Sequence, residues 1–254
     1  TITTGSNWTG STGLVSFASV AAYDASVATG LTLGISLGGD RSIANYMGVG
    51  AGTTKVIMSG SETLTTSTHT LTIPTGVTLE VGSSSTLTIA SGGTLTSTAG
   101  IVENAGSIIA VGTITEASVF TGSAGSLVFN SIVAYDAFAP TANDLGTSVS
   151  TTRSILNYSV TSGATTKVIM SGSEALTISA SGVLTIPTGV TFEINSTGAL
   201  NNDGTIIAIG TITKTTADFT GSTGLVSFAS VAAYDLSVAA GSTLGNTLGG
   251  DRSI

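Results

Sequence analysis

The sequence predicts an all-β fold, a parallel β-solenoid (β-helix) of stacked rungs of about 16 residues each, and three observations lead there. The first is composition. Of 254 residues, 46 are Thr, 36 are Ser and 34 are Gly, while only 8% are charged. Thr, Val and Ile suit a pleated, half-buried strand, and Gly and Ser suit tight turns. The second is repetition at two scales, with a long unit containing shorter modules of alternating apolar residues. The third is a length difference between two copies of the long unit. Leu79 to Gly106 in the first copy answers Phe192 to Gly204 in the second, and the excess in the first is close to one module. A solenoid absorbs a whole extra rung without disturbing its neighbours, because each rung touches only the next.

The long repeats read directly off the chain. Residues 9–43 and 220–254 align without gaps and differ at five of 35 positions. A more diverged copy, TGSAGSLVFNSIVAYD, occupies 121–136, with RSILNY at 153–158 answering RSIANY at 41–46. TTKVIMSGSE stands at 53–62 and 165–174, LTIPTGVT at 71–78 and 184–191, and GSIIAVGTIT at 106–115 returns as GTIIAIGTIT at 204–213. The expected organisation is a first repeat unit over 1–119 with one extra rung within 80–106, a second over 120–218, and the start of a third over 219–254. The chain reads as a window on a longer tandem array.

Inside each unit, TLTIPTGVTL (70–79) matches TLTIASGGTL (86–95), setting Leu71 on Leu87 and Ile73 on Ile89. Each module holds an alternating apolar pair, a turn and another pair. That is the pattern of strands with one face buried and an outward row of Thr and Ser. Residues 9–52 fit the module poorly and are expected to form a different element. The rival fold is a string of immunoglobulin-like β-sandwiches, whose domains have the size of these units. No Pro-rich or charged linker separates the units, which favours the solenoid.

At HTLTIPTGVTLEVGSSSTLTIASGGTLTSTAGIVENAGSI (69–108), and again in the same order over 184–204, the chain resembles the Thr/Gly-rich β-helical repeats of prokaryotic surface proteins: giant adhesins, surface-layer-type and fibre-forming proteins. The resemblance implies an extracellular or cell-surface location and a structural or adhesive role.

Charge and composition exclude several function classes. The net charge of −8 with six basic residues argues against nucleic acid as a partner, since neutralising phosphates takes clustered Lys and Arg. No apolar run reaches the length of a membrane span. With no Cys there is no disulfide, thiolate metal site or thiol nucleophile.

Catalytic chemistry finds few candidates. His69 is the one histidine and has no counterpart in the second unit, so it reads as an outward polar residue. The acids Asp24, Asp40, Asp136, Asp144, Asp203, Asp235 and Asp251 mostly flank turns, and AYD recurs at 22–24, 134–136 and 233–235, which suits turn and capping work. No catalytic or metal-binding residue is therefore expected, and no enzyme. No cofactor is expected either, beyond weak surface binding of Ca²⁺, since the G-G-x-G-x-D pattern of calcium β-rolls is absent. Candidate inter-rung or inter-subunit ion pairs are Asp40 with Arg41, Asp251 with Arg252, Lys55 with Glu62, and Lys167 with Glu174. Candidate N-glycosylation sites are Asn7, Asn157 and Asn195, each in an Asn-x-Ser/Thr sequence.

These readings combine into an expected structural segment of an extracellular filament, sheath, surface layer or adhesin stalk. Its expected partners are itself, through rung stacking, and the cell surface. The alternatives are a receptor-binding module of a virus tail fibre or adhesin, and a polysaccharide-active enzyme on a β-helix.

Overall fold

The computed structural model describes residues 13–46, 52–115, 120–121, 125–158, 165–195, 197–214 and 224–238. The chain divides into two compact units, Thr1–Val128 with Ser159–Ala164, and Phe129–Tyr158 with Thr165–Ile254. Each is a parallel β-solenoid: among the described residues the paired strands run parallel, unlike the antiparallel sheets of a sandwich.

The first unit opens with β1 (Leu14–Phe17), a short helix α1 (Val20–Asp24), a single 3₁₀ turn and β2 (Arg41–Ser42). Three rungs follow, each of three strands. They are β3 (Thr53–Met58), β4 (Thr63–Thr65) and β5 (Thr70–Pro74); β6 (Val77–Val81), β7 (Thr86–Ile89) and β8 (Thr94–Thr98); and β9 (Ile101–Asn104), β10 (Ser107–Ala110) and β11 (Thr113–Thr115). A short β12 (Phe120–Thr121) pairs with β9.

The alternating pattern works as read. Leu64, Leu71, Ile73, Leu87 and Ile89 are fully buried while the Thr residues between them face outward. In register, Val56, Leu79 and Val102 stack along one sheet, Leu64, Leu87 and Ile108 along the second, and Leu71, Leu95 and Ile114 along the third. Burying each such side chain contributes roughly 1.5–3 kcal/mol. Gly76 turns the chain between β5 and β6 at φ +76°, a conformation that penalises any residue with a Cβ.

The expected rung length is corrected by this register. Val56 stacks on Leu79 and Leu64 on Leu87, so that successive turns of the solenoid lie about 23 residues apart. One strand and its turn take about a third of a rung, so the shorter shift that sets Leu71 on Leu87 spans two faces. It sets β5 on β7, which lie in different sheets. Every face repeats the same apolar alternation and turn, so similarity alone does not count the faces in a rung.

The second unit repeats the plan. β13 (Ser126–Phe129) runs across the point in the sequence where the first unit ends at Val128, and after it come α2 (Ile132–Asp136), β14 (Ser148–Val149) and β15 (Thr152–Ser154). Then follow β16 (Thr165–Met170), β17 (Ala175–Ile178), β18 (Val183–Ile186), β19 (Val190–Ile194), β20 (Ala199–Asn202), β21 (Thr205–Ala208), β22 (Thr211–Lys214), β23 (Leu225–Phe228) and α3 (Val231–Ser237). Val168, Phe192 and Ile212 form one in-register stack, and Leu184, Ile206 and Val226 another.

The extra residues of the first unit make two faces, not one whole rung. From TTKVIM to the following TIT, the first unit has nine strands, β3 to β11, and the second has seven, β16 to β22. In consequence SIIA (β10) joins the sheet of β4 and β7, whereas TIIA (β21) joins that of β15 and β18.

Candidate functional site

The stretch that fits the module poorly, 9–52, holds in its described part a wide rung of its own. Val15 of β1 pairs with Thr54, a longer step along the chain than the next one in the same sheet, from Thr54 to Val77. This rung carries a polar network that recurs in both units. Helix α1 starts because the Ser19 side chain accepts the Ala22 amide at 3.0 Å, a standard N-cap. A helix this short cannot persist alone. Glu62 holds it from the next rung: its carboxylate accepts the amides of Val20 (3.1 Å), Ala21 (3.5 Å) and Ser59 (2.8 Å). At the other end, Asp24 accepts the amides of Leu33 and Gly34, both at 2.7 Å, closing the loop.

The second unit reproduces this arrangement. Glu174 accepts Ile132 (3.2 Å), Val133 (3.3 Å) and Ser171 (2.8 Å), and Asp136 accepts Leu145 (2.8 Å) and Gly146 (2.7 Å). Burial pushes the Asp136 carboxyl above its ordinary pKa against the pull of those two amides, and the neighbouring Asp144 and Glu174 charges add to the rise.

Aromatic rings fill the space under each helix. Phe17, Tyr23 and Tyr46 pack at centroid distances of 5.1–6.5 Å, as do Phe129, Tyr135, Phe138 and Tyr158 at 4.5–6.4 Å. The Tyr23 hydroxyl accepts the Ala44 amide (2.9 Å) and that of Tyr135 accepts Leu156 (3.0 Å). Burial pushes both phenols up to about 12.

An Asn-Thr pair locks the exit. Thr54 Oγ1 accepts the Tyr46 amide and donates to Asn45 Oδ1, while Asn45 Nδ2 donates to the Thr75 carbonyl. Asn157, Thr166, Tyr158 and Thr188 repeat it.

This places the residues singled out by sequence. Lys55 does not pair with Glu62. It projects from β3 to Glu80 (2.6 Å) and Glu103 (2.7 Å) on the two following rungs. Glu62 lies beyond the Ser-Gly turn with its carboxylate turned to α1. Lys167 likewise pairs with Glu193, not Glu174. Burial of Lys55 favours its neutral form, but hydrogen bonds to Glu103 and Glu80 outweigh this and raise its pKa.

Asp40 and Arg41 form no ion pair with each other. Asp40 accepts the Thr70 amide (2.8 Å) and lies 3.9 Å from His69, while Arg41 donates to the carbonyls of Thr32 and Asp40. Arg153 donates to the Ala142 carbonyl (2.8 Å), which explains why an Arg suffices there without the Asp. Asn157 has both side-chain polar atoms engaged inside the fold. The Asn195 amide and carbonyl join a turn, bonding Met170 and Gly198. Asn7, Asp251 and Arg252 lie outside the described residues.

Two residues escaped the sequence reading. Asn104 and Asn202 are buried and donate to the carbonyls of Ser126 (3.1 Å) and Leu225 (3.2 Å) on the next turn. The repeated Asn-x-Gly at 104–106 and 202–204 was the available signal.

Chemically, the recurring acids are taken up by backbone amides. A cleft of about 300 Å³ lies beside Val20, Asp24, Ile35 and Glu62, and its two carboxylates are those already bound to amides. Among the described residues, no group of three or more His, Asp or Glu is arranged to hold a metal ion, and no helix is long and apolar enough to cross a membrane. Compared with known proteins, the chain matches no protein-family model, no curated protein and no solved structure.

Proposed function

We propose that this chain is a structural segment of an extracellular filament, sheath, surface layer or adhesin stalk, self-associating by rung stacking. The carrying observation is how the recurring polar groups are used. Asp24, Glu62, Asp136 and Glu174 each bind backbone amides that hold one rung to itself or to the next. A side chain fixed in this way in both units has a mechanical use and little freedom for turnover. The rungs are joined by backbone hydrogen bonds running along the solenoid axis, so tension along that axis is shared over whole ladders of bonds. The outward Thr rows carry few charges and leave proteases few side chains to grip.

Electron cryomicroscopy of the purified chain at high concentration tests this. Rods with an axial spacing of about 4.8 Å are expected. Dispersed single particles at all concentrations, or turnover of an anionic polysaccharide, would overturn the reading.

A further inference from the structure

We infer that Asn104 and Asn202 are register keys. Each selects which face of the preceding rung receives the strand that opens the next wide rung, β13 or β23, and so sets where that rung begins. The inference concerns how one chain folds and is independent of self-association.

The need for such a device follows from the fold. Moving a strand by one residue turns its apolar side outward, and burial alone rejects that. Moving it by one whole face keeps its apolar side inward, and burial alone does not reject that. For β13 the wrong seat is concrete. Its native place is beside β10, where the Ser126 amide donates to the Gly106 carbonyl at 2.8 Å. One face earlier lies β9, whose edge is taken by β12 with Phe120 beside Val102. Laid there instead, β13 would still point Leu127 inward, onto Val102.

What distinguishes the two seats is one polar side chain. Asn104 ends an inward column whose other members are Met58 and Val81, and Asn202 ends one whose other members are Val149 and Ile178. Both asparagines are buried, at 9% and 5% exposure. Asn104 Nδ2 donates to the Ser126 carbonyl at 3.1 Å, and Asn202 Nδ2 to the Leu225 carbonyl at 3.2 Å. Ser126 and Leu225 are the first residues of β13 and β23. The residue before each is a glycine, because a Cβ at Gly125 would stand 2.7 Å from Asn104 Cγ, and one at Gly224 2.4 Å from Asn202 Cγ. Asn and Gly fit as tooth and notch. Neither Asn104 Oδ1 nor Asn202 Oδ1 meets a donor among the described residues. An apolar residue would continue the column, whereas a buried amide suits the choice of a register, as a single buried Asn does in a coiled coil.

The key travels with the strand it admits. Asn104 stands in the sheet that contains the TTKVIM strand of its unit, β3, but Asn202 stands with β14 and β17, in a different sheet from the TTKVIM strand β16. With two faces fewer in the second unit, the Asn, the Gly and the strand that follows are displaced together. The two contacts span 22 and 23 residues, so they are kept across connections of unequal length. In the second unit Phe228 also stacks on Ala208, a large side chain on a small one, which supports the same choice.

In the wrong seat Asn104 keeps its burial and loses the Ser126 carbonyl. A buried amide without an acceptor disfavours that register by about tenfold or more.

Disulfide trapping reads the register directly, since the chain has no native Cys. Ser107→Cys with Ser126→Cys reports the native seat, where neighbouring strands lie about 4.8 Å apart. Ile101→Cys with Ser126→Cys reports the wrong seat, because Ile101 lies on β9, in another sheet from β13. Thiols left after oxidation are counted by alkylation and mass spectrometry. With Asn104 in place, the first pair is expected to close and the second to stay reduced. Asn104→Leu, of similar shape, should keep the circular dichroism of the fold and raise closure of the second pair about tenfold. Asn202→Leu repeats the trial on the other connection, read as lost closure between Thr205→Cys and Leu225→Cys, which are partners in register. Closure of the native pair alone in Asn104→Leu, whatever its melting temperature, overturns the inference and leaves Asn104 an ordinary hydrogen-bonding residue. Loss of the fold in both Asn variants overturns it as well, since a key chooses between folded registers.

Discussion

The amide of Val20 and the carboxylate of Glu62, 42 residues apart in the chain, meet at 3.1 Å, and Ile132 and Glu174 repeat the relationship at the same separation. Each pair ties a single-turn helix to the following rung, so the helix exists as part of the stack.

Removing the clasp should cost stability. Glu62→Ala leaves the Val20, Ala21 and Ser59 amides without their acceptor and should destabilise by about 1–3 kcal/mol. Urea unfolding checks the size, and hydrogen exchange at Val20 and Ala21 should accelerate while that at Ile132 stays as it was.

Asp136 predicts a pH dependence of definite sign. Burial raises its folded pKa above its unfolded one, so the folded chain holds this proton more tightly. That contribution is fully present below the unfolded carboxylate range and is lost as pH rises through the folded value. Measured from pH 3 upward, the stability of the wild type relative to Asp136→Asn should fall with rising pH. A difference that grows instead contradicts the assignment.

The Lys55 ladder predicts a small effect that is sensitive to salt. Its partners are partly exposed, so Lys55→Met should cost at most about 1 kcal/mol. The variant leaves Glu80 and Glu103 in register without their shared cation, so its cost should exceed that of Lys167→Met, where one carboxylate is involved. Both costs should shrink in about 1 M NaCl.

Gly125 predicts a steric effect. A Cβ there would stand 2.4 Å from the Asn104 carbonyl oxygen and 2.7 Å from its Cγ, so Gly125→Ala should destabilise by about 1–3 kcal/mol. Gly38→Ala, at a site with open space and no positive φ, is the control and should change the melting temperature little.

Much of this was legible in the residues. The alternation around Leu71, Ile73, Leu87 and Ile89 fixed strands with one buried side, and the repeated AYD marked Asp24 and Asp136 as turn acids. The number of faces per rung was not legible, because a strand with its turn looks alike on every face and only hydrogen-bond register distinguishes them. The ion pairs failed for a related reason. Lys55 and Glu62 are near neighbours in the chain, but the true partners Glu80 and Glu103 stand on later rungs, at separations set by rung length. The repeated Asn-x-Gly marks Asn104, but its partner was not legible, because the Ser126 carbonyl lies on the next turn, whose place depends on the same register.

The two extra faces of the first unit make this architecture a kind of combination lock. Adding or removing one strand with its turn leaves every inward residue inward, so the interior tolerates the edit. What changes is the address of everything downstream: SIIA and TIIA are near-identical strands, yet they sit on different sheets relative to the TTKVIM strand that precedes them. Replication slippage in such a gene can therefore reshuffle which side chains are displayed together while leaving each strand's own sequence unchanged.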